Sequence, residues 1–304
     1  MKVIKFMSQR KLAIVFSGVL LLLSIVSLAT KQLNWGLDFT GGTLVEIHYS
    51  ATADLNAIRS TLETQGYAGS SVVSFGSDQD VMIRLPQGYS DEEGVALLSL
   101  LQKTFVGDVE LRRMEFVGPQ VGDELREQGG LAMLLAIGLV TLYVAFRFQL
   151  KFALGAVAAL LHDVIITLGF FSLSGMEFNL TVLAAILAVV GYSINDTIVV
   201  FDRIRENFRK LRRAGPVEVV DISISETLAR TLVTSGTTLM VVVTLALFGG
   251  EMIFGFAVAL IVGIFIGTYS SIYVASAWTL MMGVTKEDLM LPIKEGADQD
   301  DLAP

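Results

Sequence analysis

Cysteine is absent from the 304 residues. That excludes a disulfide framework, a thiolate metal site and a cysteine nucleophile. Charge is scarce: Asp, Glu, Lys and Arg make up 17% of the chain, against roughly 25% in soluble domains. The G-x-x-x-x-G-K-[ST] phosphate loop, the H-E-x-x-H zinc helix and the G-x-S-x-G nucleophile elbow are all missing. Nucleotide hydrolysis by that loop and the common hydrolase constellations are thereby excluded. The chain reads as a non-enzyme without cofactor or metal.

What is present is apolar residue in blocks. AVILMFWYC account for 53% before the 28 glycines are counted. A membrane span needs roughly 20 predominantly apolar residues, set by a hydrocarbon layer about 30 Å thick and a helical rise of about 1.5 Å. Six blocks qualify: 12–29, 131–148, 152–173, 180–201, 232–248 and 252–282. Basic residues flank alternate connections. Lys2, Lys5, Arg10 and Lys11 precede the first block, Arg147 and Lys151 separate the second and third, and Arg203, Arg205, Arg209, Lys210, Arg212 and Arg213 follow the fourth. The connections near Gly175 and Gly249 carry none. The positive-inside rule then puts both termini in the cytoplasm and 31–128 on the outer face. Residues 1–29 also have the basic start and apolar run of a cleaved signal, but the run exceeds the usual h-region of about 7–15 residues.

The expected organisation is a cytoplasmic N-terminus and first span over 1–30, an α/β domain over 31–128, and five spans over 129–283 with a basic loop at 202–225. An acidic, disordered cytoplasmic tail follows at 284–304. In the outer segment, 43–49, 71–75, 81–85 and 109–117 have strand character, with a hairpin at 76–78. Helix formers occupy 53–65 and 90–105, the latter opening on a capping box from Ser90 to Glu93. The order βαββαβ is the ferredoxin-like split motif. Acidic residues outnumber basic ones fifteen to seven between Lys31 and Glu127, which accounts for the whole net charge of −8; this suits solubility first.

Several polar residues stand out within the spans, where a charge near the bilayer centre costs about 2.5–3.5 kcal/mol on insertion scales. The fourth span carries Asn195, Asp196 and Thr197. Entering near Asn179 from outside, it places Asp196 about 25 Å deep. A carboxyl there is a candidate proton carrier or a hydrogen-bonded helix contact. The fifth span runs the other way and puts Arg230 at similar depth, with Thr234 and Thr237 on the same face and Thr238 beside them. Arg230 either pairs with Asp196, giving a hydroxyl-lined route, or snorkels to cytoplasmic phosphates. His162 and Asp163 in the third span form either a proton relay or a polar packing lock. Gly255, Ala259, Gly263, Gly267, Ser271 and Ala275 recur every four residues. That small-residue ladder permits close approach of another helix, in this chain or a partner. The basic run 203–213 anchors the inner face, and nucleic acid is not an expected partner.

Gly36-Leu37-Asp38-Phe39-Thr40-Gly41-Gly42, Val117-Gly118-Pro119-Gln120-Val121-Gly122 and His162-Asp163, together with 195–208 and 229–238, resemble the SecF subunits of the SecD/SecF family, of the resistance–nodulation–division type. The resemblance runs from the first span through the sixth. It implies a multi-pass protein of the bacterial inner membrane, with 31–128 periplasmic, that pairs with a SecD-like subunit. With that partner it would use protons to help preproteins through the SecYEG channel. It further implies that Asp196 is the proton-path aspartate and Arg230 the functional arginine. It also implies that the motif spanning Gly36, Asp38, Gly41 and Gly42, with Gly118 and Pro119, joins the outer domain to the spans. The same motor in half of an exporter of small molecules or lipids is the alternative, disfavoured by an outer segment of fewer than 100 residues.

Overall fold

The structure is a computed structural model, and it describes residues 3–75, 77–85, 91–104, 109–211 and 213–285. Among the described residues six helices are long and apolar enough to cross a membrane: Phe6–Thr30, Pro119–Arg147, Leu150–Ser174, Leu180–Lys210, Pro216–Phe248 and Glu251–Met281. The first comprises a 3₁₀ turn, Phe6–Gln9, and α1, Arg10–Thr30. Before the second come β1 (Asn34–Trp35), α2 (Leu37–Thr40), β2 (Gly42–Tyr49), α3 (Leu55–Thr64), β3 (Ser71–Phe75), β4 (Ser77–Leu85), α4 (Asp91–Thr104) and β5 (Val109–Val117). The remaining spans are α5 (Pro119–Arg147), α6 (Leu150–Ser174), α7 (Leu180–Lys210), α8 (Pro216–Phe248) and a final helix. That last helix is α9 (Glu251–Ser270), a π turn (Ser271–Ala275) and α10 (Ser276–Met281). A two-residue strand, β6 (Glu177–Phe178), lies between α6 and α7.

Apolar windows find only the lipid-depth part of each helix, so several helices extend beyond the blocks read from sequence. The stretch 202–225, read as a basic loop, is largely helix: α7 continues to Lys210 and α8 starts at Pro216. Pro216 stands at the first helical position, where a missing N–H costs nothing and the fixed φ suits a helix. Asn207 Nδ2 bridges the two extensions through Ser223 Oγ, at 3.0 Å, and Glu226 Oε2, at 2.8 Å. Likewise, 119–128 belongs to α5 rather than to the α/β segment. The Ser90 cap, Gly76 of the hairpin and the tail from residue 286 onward lie outside the described residues.

The four-stranded sheet is antiparallel throughout, in the order β3-β4-β2-β5. Alternation drives it. Val45, Ile47 and Tyr49 on β2 and Val81, Ile83 and Leu85 on β4 are buried on one face. Ile58 and Leu62 of α3, and Leu97 and Leu101 of α4, one helical turn apart, close the same core. Asp54 caps α3 by accepting from Asn56 N and Ala57 N.

In the bundle, α7 is central and touches α5, α6, α8 and α9. Burial divides the helices: the most apolar windows of α6 and α7 are 61% and 50% buried, those of α5 and α8 only 11% and 17%. The large apolar side chains that α5 and α8 leave open, such as Leu134, Phe146, Met240 and Phe248, are suited to lipid or to another helical subunit. The small-residue ladder of α9 packs against α7 of the same chain. A Cβ on Gly255 would meet Val182 at 3.0 Å, one on Gly263 would enter Val189, and one on Gly267 would meet Ser193 at 3.1 Å.

Candidate functional site

Two sites emerge, one midway along the bundle and one where the bundle meets the sheet.

The first is built on α7. Asp196 lies sixteen residues into the helix from Leu180, about 24 Å along its axis, and is 4% exposed. Its Oδ2 has no hydrogen-bond partner among the described residues, and neither have the buried Thr197 Oγ1, Thr231 Oγ1 and His162 Nε2. Leaving a buried polar atom unmatched typically costs about 1–3 kcal/mol, so each of these atoms calls for an explanation. Arg230 of α8 bears on Asp196 through space, but no ion pair within 4.0 Å joins them. Arg230, Asn195, Gly191 and Thr237 are exposed in this chain, so the side of the site that carries Arg230 is open. Thr234 and Thr238 are half-buried. The hydroxyls of Thr234, Thr237 and Thr238 all donate to carbonyls of their own helix.

One turn before Asp196, Ser193 leads to the second sequence candidate. Asp163 of α6 is completely buried. Its Oδ2 accepts from Ser193 Oγ of α7 and, at 2.7 Å, from Ser270 Oγ of α9. Its Oδ1 lies 2.9 Å from His162 Nδ1. One carboxylate thus ties three helices at the residue preceding the π turn. The His162 ring stacks on Tyr269 at 6.2 Å, and the Tyr269 hydroxyl donates to Ala13 O of α1 at 2.8 Å. Single-turn π segments inside α-helices are frequent at functional sites. Neither the π turn nor the roles of Ser193, Ser270 and Tyr269 carry a sequence signal; serines in a span look like ordinary packing residues.

At the second site the Gly36–Gly42 motif folds onto the bundle. β1 pairs in parallel with β6, Asn34 opposite Glu177 and Trp35 opposite Phe178. Gly36 N donates to Phe178 O at 2.8 Å. Asp38 Oδ2 accepts from Leu180 N at 2.9 Å, so a residue of the motif satisfies an end amide of α7, while Asn179 caps Val182 N. Gly41 adopts φ +66, a conformation glycine reaches without strain. A Cβ there would lie 3.1 Å from Pro119 Cα. A Cβ on Gly122 would lie 2.9 Å from Gly41 N, so α2 sits directly against the start of α5. Gly118 is the N-cap and Pro119 the first residue of α5. Phe39 stacks on Phe178 at 5.9 Å and Trp35 packs edge-on against both. Arg126 lies 4.7 Å over the Trp35 ring. The motif therefore touches the first turns of both α5 and α7. Among the described residues no group of three or more His, Cys, Asp or Glu is placed to hold a metal ion.

Comparison with known proteins agrees across the whole chain. The model of "Protein export membrane protein SecD/SecF, C-terminal" matches residues 97–285, and that of the SecD/SecF GG motif matches 26–53. Protein translocase subunit SecF of Vibrio alginolyticus is 54% identical, over 99% of this chain and 97% of that one. Its counterpart in Escherichia coli O157:H7 is 45% identical, over 100% and 96%. The crystal structure of SecDF from Thermus thermophilus, a translocon-associated membrane protein, superposes with a TM-score of 0.85 at 38% identity. It covers 92% of this chain, which spans 39% of that longer protein. With six spans, the GG motif seated on α7 and near full-length similarity to SecF subunits, the chain belongs to the SecD/SecF family of protein export membrane proteins, as a SecF-type member.

Proposed function

We propose that this SecF-type chain works with a SecD-like subunit in the bacterial inner membrane, using the proton-motive force to promote passage of preproteins through the SecYEG channel. Both termini are cytoplasmic, residues 31–128 are periplasmic, and the part of them before α5 forms a ferredoxin-like domain. The strand order β3-β4-β2-β5 with two helices on one core supports the domain type. Basic residues gathered at the bundle end far from the sheet, Arg147, Lys151, Arg203 and Arg209 among them, support the orientation. The partner is supported by the SecDF structures, of which this chain matches about two-fifths, and by the open side of α7 and α8 around Asn195 and Arg230.

The observation that carries the reading is Asp196: a carboxyl buried in the inner part of its span, with a free oxygen and no ion pair holding it. Locked in a salt bridge, it would stay charged; unlocked, it is free to exchange a proton and change the local charge within the spanning bundle, where charge is costly. Arg230 adjusts that exchange from a distance. One charge moved across the membrane gains about 2.3 kcal/mol per 100 mV. Inverting a 1:99 population takes about 5.5 kcal/mol. A few protons per cycle, helped by the pH gradient, are therefore enough to throw an outer domain between two poses. In vesicles holding the chain, its SecD-like partner and the channel, preprotein translocation should be accompanied by proton uptake that Asp196→Asn abolishes while the complex stays assembled. Unchanged proton uptake in that variant refutes the reading.

A further inference from the structure

Glu177 and Arg84, neither marked out by sequence, meet at the link between α6 and α7. Arg84 projects from β4 of the outer sheet. Its Nη2 lies 2.5 Å from Glu177 Oε2, and its Nη1 donates to Trp35 O at 3.4 Å. The sheet is thus joined by a side-chain ion pair to the segment that leads into α7. Two contacts beside it differ in kind. Asp38 and Gly36 hold main-chain groups, Leu180 N and Phe178 O. Releasing them would strand backbone polar groups at a helix end. The Arg84–Glu177 pair joins two side chains 22% and 34% exposed, so water replaces either partner when the pair opens. Beside it lies a cleft of ≈ 550 Å³ lined by Thr40, Gly41, Ser71, Arg84, Asp123 and Arg126, open space between the sheet and the start of α5. Gly36 keeps Glu177 in reach, because a Cβ at that position would stand 2.7 Å from Glu177 Oε1.

We infer that Arg84 and Glu177 are positioning residues that pass the state of α7 to the outer sheet. Asp38 keeps the junction seated on α7, while the Arg84–Glu177 pair sets the sheet's tilt and frees it toward the cleft when it opens. The inference rests on the proton-coupled reading above, in which α7 carries the protonation site. A static brace would resemble it in the resting structure but would not separate proton-driven export from the rest.

The test is preprotein translocation in membrane vesicles with and without an imposed proton gradient, on the full complex at matched levels. Arg84→Glu and Glu177→Arg alone should each lower the gradient-dependent part about fivefold, the scale of one ion pair, and leave the gradient-independent part unchanged. Arg84→Glu combined with Glu177→Arg should restore most of it. Single reversals that match wild type, or a swap no better than the singles, overturn the inference. Should the reversals fail to accumulate, Arg84→Gln and Glu177→Gln carry the same expectation, and wild-type behaviour in both overturns it. Asp196→Asn run in parallel separates the two layers. If it keeps gradient-dependent export, the proton reading itself fails; if it loses that export while the Arg84 and Glu177 variants do not, only the tether fails.

Discussion

Replacing Gly263 by alanine should be among the most disruptive single-methyl changes available in the bundle. A Cβ there would lie 2.6 Å from Val189 Cγ1 and 3.0 Å from Val189 Cβ. Carbon atoms settle at about 3.5–4.0 Å, so α9 and α7 must part by about 1 Å or Val189 must abandon its rotamer. Val189 is fully packed, at 1% exposure, and overpacking of that sort costs about 1–3 kcal/mol. Alanine's better helix propensity returns about 1 kcal/mol at most, leaving a net loss. Gly191, on α7 itself, is the control. Nothing lies within 4 Å of a Cβ there, so Gly191→Ala should be neutral or slightly stabilising. The assay is the apparent melting temperature of the purified chain in one detergent at one scan rate, since unfolding of such proteins is often irreversible. Gly263→Ala should melt several degrees below wild type, Gly255→Ala should fall between, and Gly191→Ala should not fall. Equal melting of Gly263→Ala and Gly191→Ala would refute the view that the ladder is a close contact within this chain.

Two further outcomes follow from single carboxylates. Asp163→Ala removes the acceptor shared by Ser193, Ser270 and His162; at about 0.6 kcal/mol for each of the two interhelical hydrogen bonds, from Ser193 and Ser270, the loss is about 1 kcal/mol before any cavity cost. Asp163→Asn keeps the volume and one acceptor, so it should melt between wild type and the alanine variant; a melt as low as alanine's would contradict acceptor geometry as the cause. In the sheet, Asp80 accepts from Ser77 of its own strand and bonds His48 across the β2–β4 pair, and these bonds hold its carboxyl below the usual range. A depressed carboxyl contributes stability above its unfolded value of about 3.9 and loses it as pH falls through the folded one. Amide exchange in β2 and β4 should therefore quicken as pH falls below about 4 relative to the intrinsic rates, and Asp80→Asn should flatten that dependence. An unchanged profile in the variant would show that Asp80 is not the group responsible.

Much of the fold is legible in sequence because its driving forces are local. Apolar blocks of spanning length mark all six membrane helices, and period-two alternation in 43–49 and 81–85 marks the sheet's buried face. What escapes is set by distance along the chain. β1 and β6 are two residues each and pair across more than a hundred residues, too short to leave a pattern. The helical extensions around Pro216 and Pro119 carry polar and charged residues, so a span reading stops short of them. Asp163 is legible as an anomaly, but its partners Ser193 and Ser270 are defined by three helices meeting. The ladder from Gly255 to Ala275 announces a close neighbour without saying which, and only packing identifies α7. Asp196 and Arg230 stand out by charge, yet sequence suggests a pair where the structure keeps them apart.

The central claim is that Asp196 couples protons to export, and secretion of a model preprotein in inverted membrane vesicles tests it most directly. Wild type and Asp196→Asn are compared at matched complex levels, with and without a proton gradient. The account predicts that the variant loses the gradient-dependent part of secretion and keeps the rest. Secretion by Asp196→Asn at the wild-type, gradient-stimulated level would contradict it and make the buried carboxyl a structural residue.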